Sequence, residues 1–514
     1  MSKHVLWRIM VAFLLAASLP HWAQAADITV DETTCTLADA ITSANSDADT
    51  GNCVASGAYG DDTIALQTDI TLGAALPEIS STITIEGNGY TIDGNGGNFS
   101  VLAISKDGDL TLNETTVTGS TGSGISCSPS VELSLTNAFS SVTVNSSTIS
   151  GNGGSGIYSS ATSGGFNTLL RASYSVTVNS STISGNGGSG ISSIPNSYPS
   201  SVTVNSSTIS GNGGSGISSS AFRASSSVTV NSSTISGNGE SGISCSSSSS
   251  YSSSSYSITV KNSTISGNDG SGIFCSSPAD YSNPRFSASS FSITVNSSTI
   301  SGNGGSGIFS SSGVTTLTNL SSSFTVKSST ISGNGKTDSG TANEIYIRWL
   351  GSTNKADASN VFGHSGETNA EAFSSFFKPG ASDLTATSDG ALPTALTAIL
   401  GPLVNNGGPT LTHALVAGSP AIDRDATCSI GLTEDQRGYP RPIGDGCDAG
   451  AVEYDPSNTD SDSDGHFDAA DNCPLVANAD QVDRDGNGIG DACDASNDKK
   501  INLISVYMLL LNSM

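Results

Sequence analysis

Val142-Thr143-Val144-Asn145-Ser146-Ser147-Thr148-Ile149-Ser150-Gly151-Asn152-Gly153-Gly154-Ser155-Gly156-Ile157 decides the fold, because the phrase recurs. It restarts at Val176, Val202 and Val228, with variants at Ile258, Ile293 and Phe324 and a divergent relative at Leu110. Successive starts lie 32, 34, 26, 26, 30, 35 and 31 residues apart, so a constant motif is joined by inserts of varying length. Each copy therefore reads as one structural unit, with the inserts leaving from one side of a stack. Val142 and Val144 alternate with Thr143 at the period of a strand, which turns the valines inward and the threonine outward. Ile149 and Ile157 supply the inward residues of two more short strands. Between them, Gly151-Asn152-Gly153-Gly154 reads as a turn with left-handed dihedrals.

Stacked coils satisfy their strand hydrogen bonds above and below and place Val on Val and Ile on Ile. Asn152, Asn186, Asn212, Asn238, Asn268, Asn303 and Asn334 share one turn position and predict an amide ladder. The fold expected is all-β, a right-handed single-stranded parallel β-helix over residues 61–375. Its pattern resembles the repeats of large bacterial surface proteins. A helical solenoid is excluded by the absence of a 3.6-residue period and by the glycines.

Composition agrees. Apolar residues make up 35% of the 514-residue chain, too few for a thick core and enough for a thin solenoid. A net charge of −27 repels nucleic acid and anionic lipid and favours cations. Lys3, Arg8, the apolar run Ile9 to Leu19 and Ala23-Gln24-Ala25 read as a signal peptide over residues 1–25. Export makes disulfides possible, and Cys35 with Cys53, Cys428 with Cys447 and Cys473 with Cys493 are expected to pair locally. Cys127, Cys245 and Cys275 each stand two places after the motif's last isoleucine and so point inward; the last two stack closely enough to bridge but read as small buried thiols.

A β-helix needs capped ends. Residues 26–60 supply one: Thr36 to Asp39 has capping spacing, and Leu37, Ala40, Ile41 and Ala44 form one apolar helix face. Cys35-Thr36-Leu37-Ala38-Asp39-Ala40 resembles the motif of the CSLREA domain. Over residues 376–454, Ile399-Leu400-Gly401-Pro402-Leu403, Asn406 to Thr410, Gly418 to Asp423, and Asp435-Gln436-Arg437-Gly438 through Cys447 to Ala451 together resemble the choice-of-anchor Q domain. That resemblance implies a structural role at a cell surface.

The acidic tail, residues 455–498, carries the sharpest chemical motif. Asp460, Asp462, Asp464, Gly465, His466, Asp468 and Asp471 fall on places 1, 3, 5, 6, 7, 9 and 12 of a calcium loop. Asp483, Asp485, Asn487, Gly488, Ile489, Asp491 and Asp494 repeat the pattern. Alternating oxygen ligands, a glycine for the sharp turn and a main-chain carbonyl at place 7, from His466 and Ile489, suit Ca2+. With Asp471-Asn472-Cys473-Pro474 and Gly490-Asp491-Ala492-Cys493-Asp494, the segment is similar to thrombospondin type 3 repeats. That family implies structural calcium and, in several members, cell adhesion. In the tail, residues 499–514, the run 501–514 is apolar but too short to be read as a membrane helix, though an altered anchor is open.

Acid–base catalysis on polysaccharides needs clustered carboxylates with Arg or Lys. Between residues 140 and 330 the only charges are Arg171, Arg223, Glu240, Lys261, Asp269, Asp280, Arg285 and Lys327, and histidine is absent. Glu240 and Asp269 neighbour each other in the glycine turn and read as solvated; Asp61, Asp62 and Asp93 read as turn caps. The chain is thus expected to be a secreted or cell-surface protein rather than an enzyme. Its outward Ser, Thr and Asn rows, helped by Tyr158, Tyr174, Tyr198, Tyr251, Tyr256 and Tyr281, would meet glycans or host and neighbour surface proteins, with no nucleic-acid partner. A polysaccharide lyase or hydrolase and a passive spacer are the alternatives.

Overall fold

The computed structural model describes residues 26–131, 136–162, 171–196, 198–247, 254–277, 289–312, 322–335, 343–348, 353–356, 358–457, 459–462, 464–468, 470–484 and 487–494. Residues 1–25 and 499–514, read above as leader and apolar tail, lie outside them.

Alternation builds three parallel sheets along one axis. The first runs in chain order from Asp27–Val30 through Ala138–Asn145 to Thr353–Lys355, the second from Ile70–Thr71 to Leu384–Thr385, and the third from Leu102–Ile104 to Ile345–Arg348. This is the expected right-handed parallel β-helix. Register is set by identity: Val142 pairs Val176, which pairs Val202 and then Val228, while Ile149 pairs Ile183 and Ile157 pairs Ile191. Val142, Val144, Ile149 and Ile157 are buried and Thr143 is half-exposed, as the period of two requires. Pairing extends past the expected bounds of 61–375 at both ends, since Ile28 and Val30 already point inward and pair with Ile64 and Leu66.

The turns depart from expectation. In the glycine turn only Gly151 has a left-handed dihedral, φ 66°. Gly153 is small for another reason, since a Cβ there would lie 2.6 Å from Thr121 O of the coil below. The first turn instead holds a non-glycine residue left-handed in coil after coil, at Ser146, Ser180, Ser206, Ser232, Asn262, Ser297 and Ser328. Such a residue costs about 1–2 kcal/mol. The serine that follows offsets it: Ser181 Oγ donates to Asn179 O at 2.7 Å and accepts from Ser147 N–H at 3.0 Å.

The asparagine ladder forms as expected. From Asn152 to Asn334 each Nδ2 donates to the next Oδ1, at 3.0, 3.0, 2.9, 2.8, 2.9 and 2.9 Å, and every member is buried.

At the N-terminal end the helix Leu37–Ser46 buries Leu37, Ala40, Ile41 and Ala44 in the continuous core, and its cap Thr36 accepts from Asp39 N–H at 3.1 Å. At the other end Phe324, Phe362, Phe373 and Phe377 pack together, with ring centroids 5.6–6.1 Å apart.

The chain then turns back along the second sheet. Thr234 donates to Leu411 O (2.5 Å), Thr264 to Gln436 Oε1 (2.7 Å) and Thr330 to Ala449 O (2.6 Å), while Thr299 accepts from Ala451 N–H (3.1 Å). Inside this returning segment, buried ion pairs join Arg437 to Asp435 and Arg441 to Glu453, each at 2.7 Å.

The three local disulfides are present, and Cys127, Cys245 and Cys275 are fully buried. Cys245 and Cys275 form a fourth disulfide rather than free thiols, because register places one directly on the other with Cα atoms 4.6 Å apart. Cys127 has no such neighbour, and burial pushes its thiol up to about 12.

Candidate metal centre and surface rows

The tail has almost no apolar core, so its shape depends on side-chain and main-chain polar contacts. Asp460, Asp462 and Asp464 converge, each offering a carboxylate oxygen within 4.8 Å of the others. Two of the three are held by the loop itself. Asp460 accepts from Gly465 N–H at 3.0 Å and Asp464 from His466 N–H at 2.9 Å and Asn478 N–H at 2.8 Å. The Asn478 bond is the chief cause that holds the Asp464 carboxyl below its ordinary range. Asp462 differs: both its oxygens, and Oδ2 of Asp471, are shielded from solvent without a hydrogen-bond donor on the protein. Burial, followed by the charges of Asp464, Asp471 and Asp460, pushes Asp462 up. Orphaned carboxylate oxygens beside further carboxylates fit a cation, which these residues could hold.

The remaining places of the first loop are less convergent. Asp468 is buried and accepts from Ser461 N–H (2.8 Å), Ser461 Oγ (2.6 Å) and the hydroxyl of Tyr454 (2.9 Å), tying the loop to the preceding region. His466 takes part through Nε2, 3.3 Å from Ala479 O. In the second loop Asp485 lies outside the described residues. Asp483 accepts from Gly488 N–H at 2.9 Å, and Asn487 accepts from Ile489 N–H at 2.7 Å and donates to Asp494 at 3.1 Å. Asp491 is drawn to Arg484, 2.5 Å away. The structure therefore gathers Asp460, Asp462 and Asp464 of the first set, and in the second it joins Asp483 to Gly488 and Asn487 to Asp494. Cys473–Cys493 closes the segment.

The outward rows are also partly spoken for. Thr234, Thr264, Thr299 and Thr330 are buried beneath the returning chain, leaving Thr116, Thr148, Thr182 and Thr208 half-exposed. Tyr174 and Tyr256 are not surface groups: both point inward, two places before Val176 and Ile258, where Tyr174 bonds Ser193 Oγ at 2.7 Å and Tyr256 accepts from Ala221 N–H at 2.9 Å. Tyr251 and Tyr281 lie outside the described residues. Tyr158, half-buried, shares its place on the third sheet with an outward aromatic row further along the stack. Phe274, Phe309 and Tyr346, half-buried on the third sheet, stack with centroids 4.8 Å apart. Each falls one place after the third-sheet isoleucine, a signal carried by the repeat rather than by the inserts.

Charges on the coils stay scattered. Glu240 accepts from Ser215 Oγ at 3.0 Å. A cleft of about 480 Å³ lined by Thr82, Asp107, Asp109, Phe139, Ser141 and Ser175 lies near the start of the stack, with Asp109 bonded to Ser141 and Asp107 to Phe139 N–H.

Comparison with known families agrees with this architecture. The right handed beta helix region matches residues 80–252 and 170–292, and the thrombospondin type 3 repeat matches residues 442–481, which takes in the first acidic loop. No curated protein matches the chain. Among solved structures, a pectate lyase, Pel9A, is similar at 14% identity over 77% of this chain and 88% of that one, with a TM-score of 0.38. The A-module of the Azotobacter vinelandii mannuronan C-5 epimerase AlgE4 is similar at 12% identity over 59% and 83%, with a TM-score of 0.28. Likenesses this remote say nothing about substrate. No helix among the described residues is long and apolar enough to cross a membrane.

Proposed function

We propose that this chain is a secreted or cell-surface β-helix protein with an adhesive role, its acidic tail folded around Ca2+. The observation that carries the calcium reading is the convergence of Asp460, Asp462 and Asp464 with both Asp462 oxygens lacking a protein donor. Four disulfides support an oxidising, extracellular setting. The partner surface is the hydroxyl rows left open by the returning chain together with Phe274, Phe309 and Tyr346, a combination suited to glycans or neighbouring surface proteins.

The second reading, a polysaccharide-active enzyme, draws on the cleft lined by Asp107 and Asp109, where Asp107 also pairs with Lys106 at 3.4 Å. A glycan array with the mature protein, run beside a uronic-acid lyase assay, separates the two. Saturable capture of a defined glycan set without unsaturated products supports adhesion; product formation lost in Asp109→Asn installs the enzyme; neither signal leaves a spacer.

A further inference from the structure

In coil after coil the residue before the third-sheet isoleucine is glycine, as at Gly272 and Gly307, because a Cβ there would lie 2.6–2.7 Å from an isoleucine Cγ2 of the next coil. The last coil breaks the rule with Glu344, immediately before Ile345. Its carboxylate fills the space where the next asparagine would stand. Oε1 accepts from Gly333 N–H at 2.7 Å and Asn334 N–H at 3.3 Å, and Oε2 accepts from Asn334 Nδ2 at 2.6 Å. Asn303 makes the equivalent bonds to Asn334 Oδ1 one coil earlier, at 3.2 and 2.9 Å. The end of the ladder thus accounts for one carboxylate at this place, and for no more than one.

A second buried carboxylate faces the first. Glu367 Oε2 accepts from Asn343 Nδ2 at 2.9 Å, whereas Oε1 is shielded from solvent and has no donor. His364, half-buried in the turn after Val361–Phe362, completes the group: one ligand atom from each of Glu344, His364 and Glu367 lies within 4.8 Å of the others. No lysine or arginine forms a salt bridge with either carboxylate among the described residues. Two buried carboxylates at this separation require a cation or a shared proton.

We propose that Glu344, Glu367 and His364 form a second metal site, taking a divalent transition cation such as Zn2+, that closes the C-terminal end of the coil stack. One imidazole and two carboxylates suit borderline cations better than Ca2+, which takes six to eight oxygens. A dication neutralises both carboxylates and ties the last third-sheet strand to the turn of the following coil. His364 Nδ1 accepts from Gly366 N–H at 3.0 Å, a bond that fixes the orientation of the ring.

The test titrates Zn2+ into the whole mature protein held in excess Ca2+, which fills the tail, and repeats it with Co2+ to read nitrogen coordination in the visible spectrum. One equivalent of Zn2+ is expected, with a Co2+ band that vanishes in His364→Ala. His364→Ala and Glu367→Gln should each weaken binding about tenfold or more. Glu344→Gln should do the same; its single carboxamide oxygen can take the two Asn334 bonds, as Asn334 Oδ1 takes those of Asn303, and gives up the bond from Gly333 N–H. If Glu344→Gln fails to fold, half-buried His364 decides. No Zn2+ uptake by the wild type, or uptake undiminished in both His364→Ala and Glu367→Gln, overturns the site and assigns the carboxyl pair a shared proton.

Discussion

Asp383 Oδ1 accepts from Asn360 Nδ2 at 2.8 Å and from Asn360 N–H at 3.1 Å, and there the serine row of the first turn ends. The row reaches Asn360 through Ser329 N–H, which donates to its Oδ1 at 3.0 Å. The buried asparagine ladder ends the same way on Glu344. A third row, from Asn231 through Asn205, Asn179, Asn145 and Asn113, runs toward the N-terminus and ends on Glu86 Oε1 at 2.7 Å. Each row thus stops on a carboxylate at the end toward which its donors point. Aligned N–H groups leave a positive pole there, as at a helix N-terminus.

Removing such a cap should fray the stack locally. Asp383→Ala strips acceptors from the N–H groups of Ala358, Asn360 and Gly380. At about 1–3 kcal/mol for each buried donor left unpaired, hydrogen exchange at Asn360 and Leu384 should accelerate strongly while the coils before residue 300 stay protected. Protection unchanged at Leu384 would show that the carboxylate is dispensable.

Burial should separate the two amide rows. Asn212→Ala orphans the main-chain N–H of Asn186 and removes one of the acceptors of its Nδ2, which keeps Ile149 O, and should cost about 2–4 kcal/mol; Asn205→Ala, on the half-exposed row, should cost under about 1 kcal/mol. Denaturant midpoints for the two variants check this, and equal shifts count against it.

The inward–outward alternation makes a sharper contrast. Val204→Asp puts a carboxylate into a fully buried site and should prevent ordered stacking of the central coils, whereas Thr203→Asp, half-exposed, should be tolerated. Far-UV circular dichroism and protease resistance read the difference.

Asp448 links the returning segment to pH. Burial first, then the Glu453 charge, raises its carboxyl from 3.8 to about 7, against the N–H groups of Tyr454 and Asp423 and the charge of Arg441, which pull it down. Because the folded value is raised, its contribution is fully present below pH 3.8 and is lost as pH climbs to about 7, by at most on the order of 4 kcal/mol. Asp448→Asn should flatten the fall in unfolding midpoint across that window; a slope as steep as the wild type's would acquit Asp448.

Calcium should act on the tail alone. Residues 455–498 hold twelve acidic side chains and few large apolar ones, so metal binding there becomes folding energy. Limited proteolysis of the full chain should show calcium protecting sites after Asp455, with Asp462→Ala abolishing protection around the first loop. Equal cleavage with and without chelator removes the metal claim.

The coils were legible because their causes are local. Strand alternation, the recurring asparagine and the glycine turn each lie within sixteen residues, and repetition forces identical residues into register. The first acidic loop was legible by its spacing, whereas the contacts of Asp468 with Tyr454 and Ser461, and of Asp491 with Arg484 in the second loop, were not, because those partners hold no ligand place in the pattern.

What the sequence by itself determined is therefore the coil: which residues point inward, which stack, and where an acidic loop can gather a cation. Only the tertiary structure decided which outward threonines are covered, that Cys245 bonds Cys275, that Tyr174 and Tyr256 are core, and that Glu344, His364 and Glu367 meet. These depend on which coil lies above which and on the chain's return along the second sheet, distances in space that no spacing within a repeat encodes.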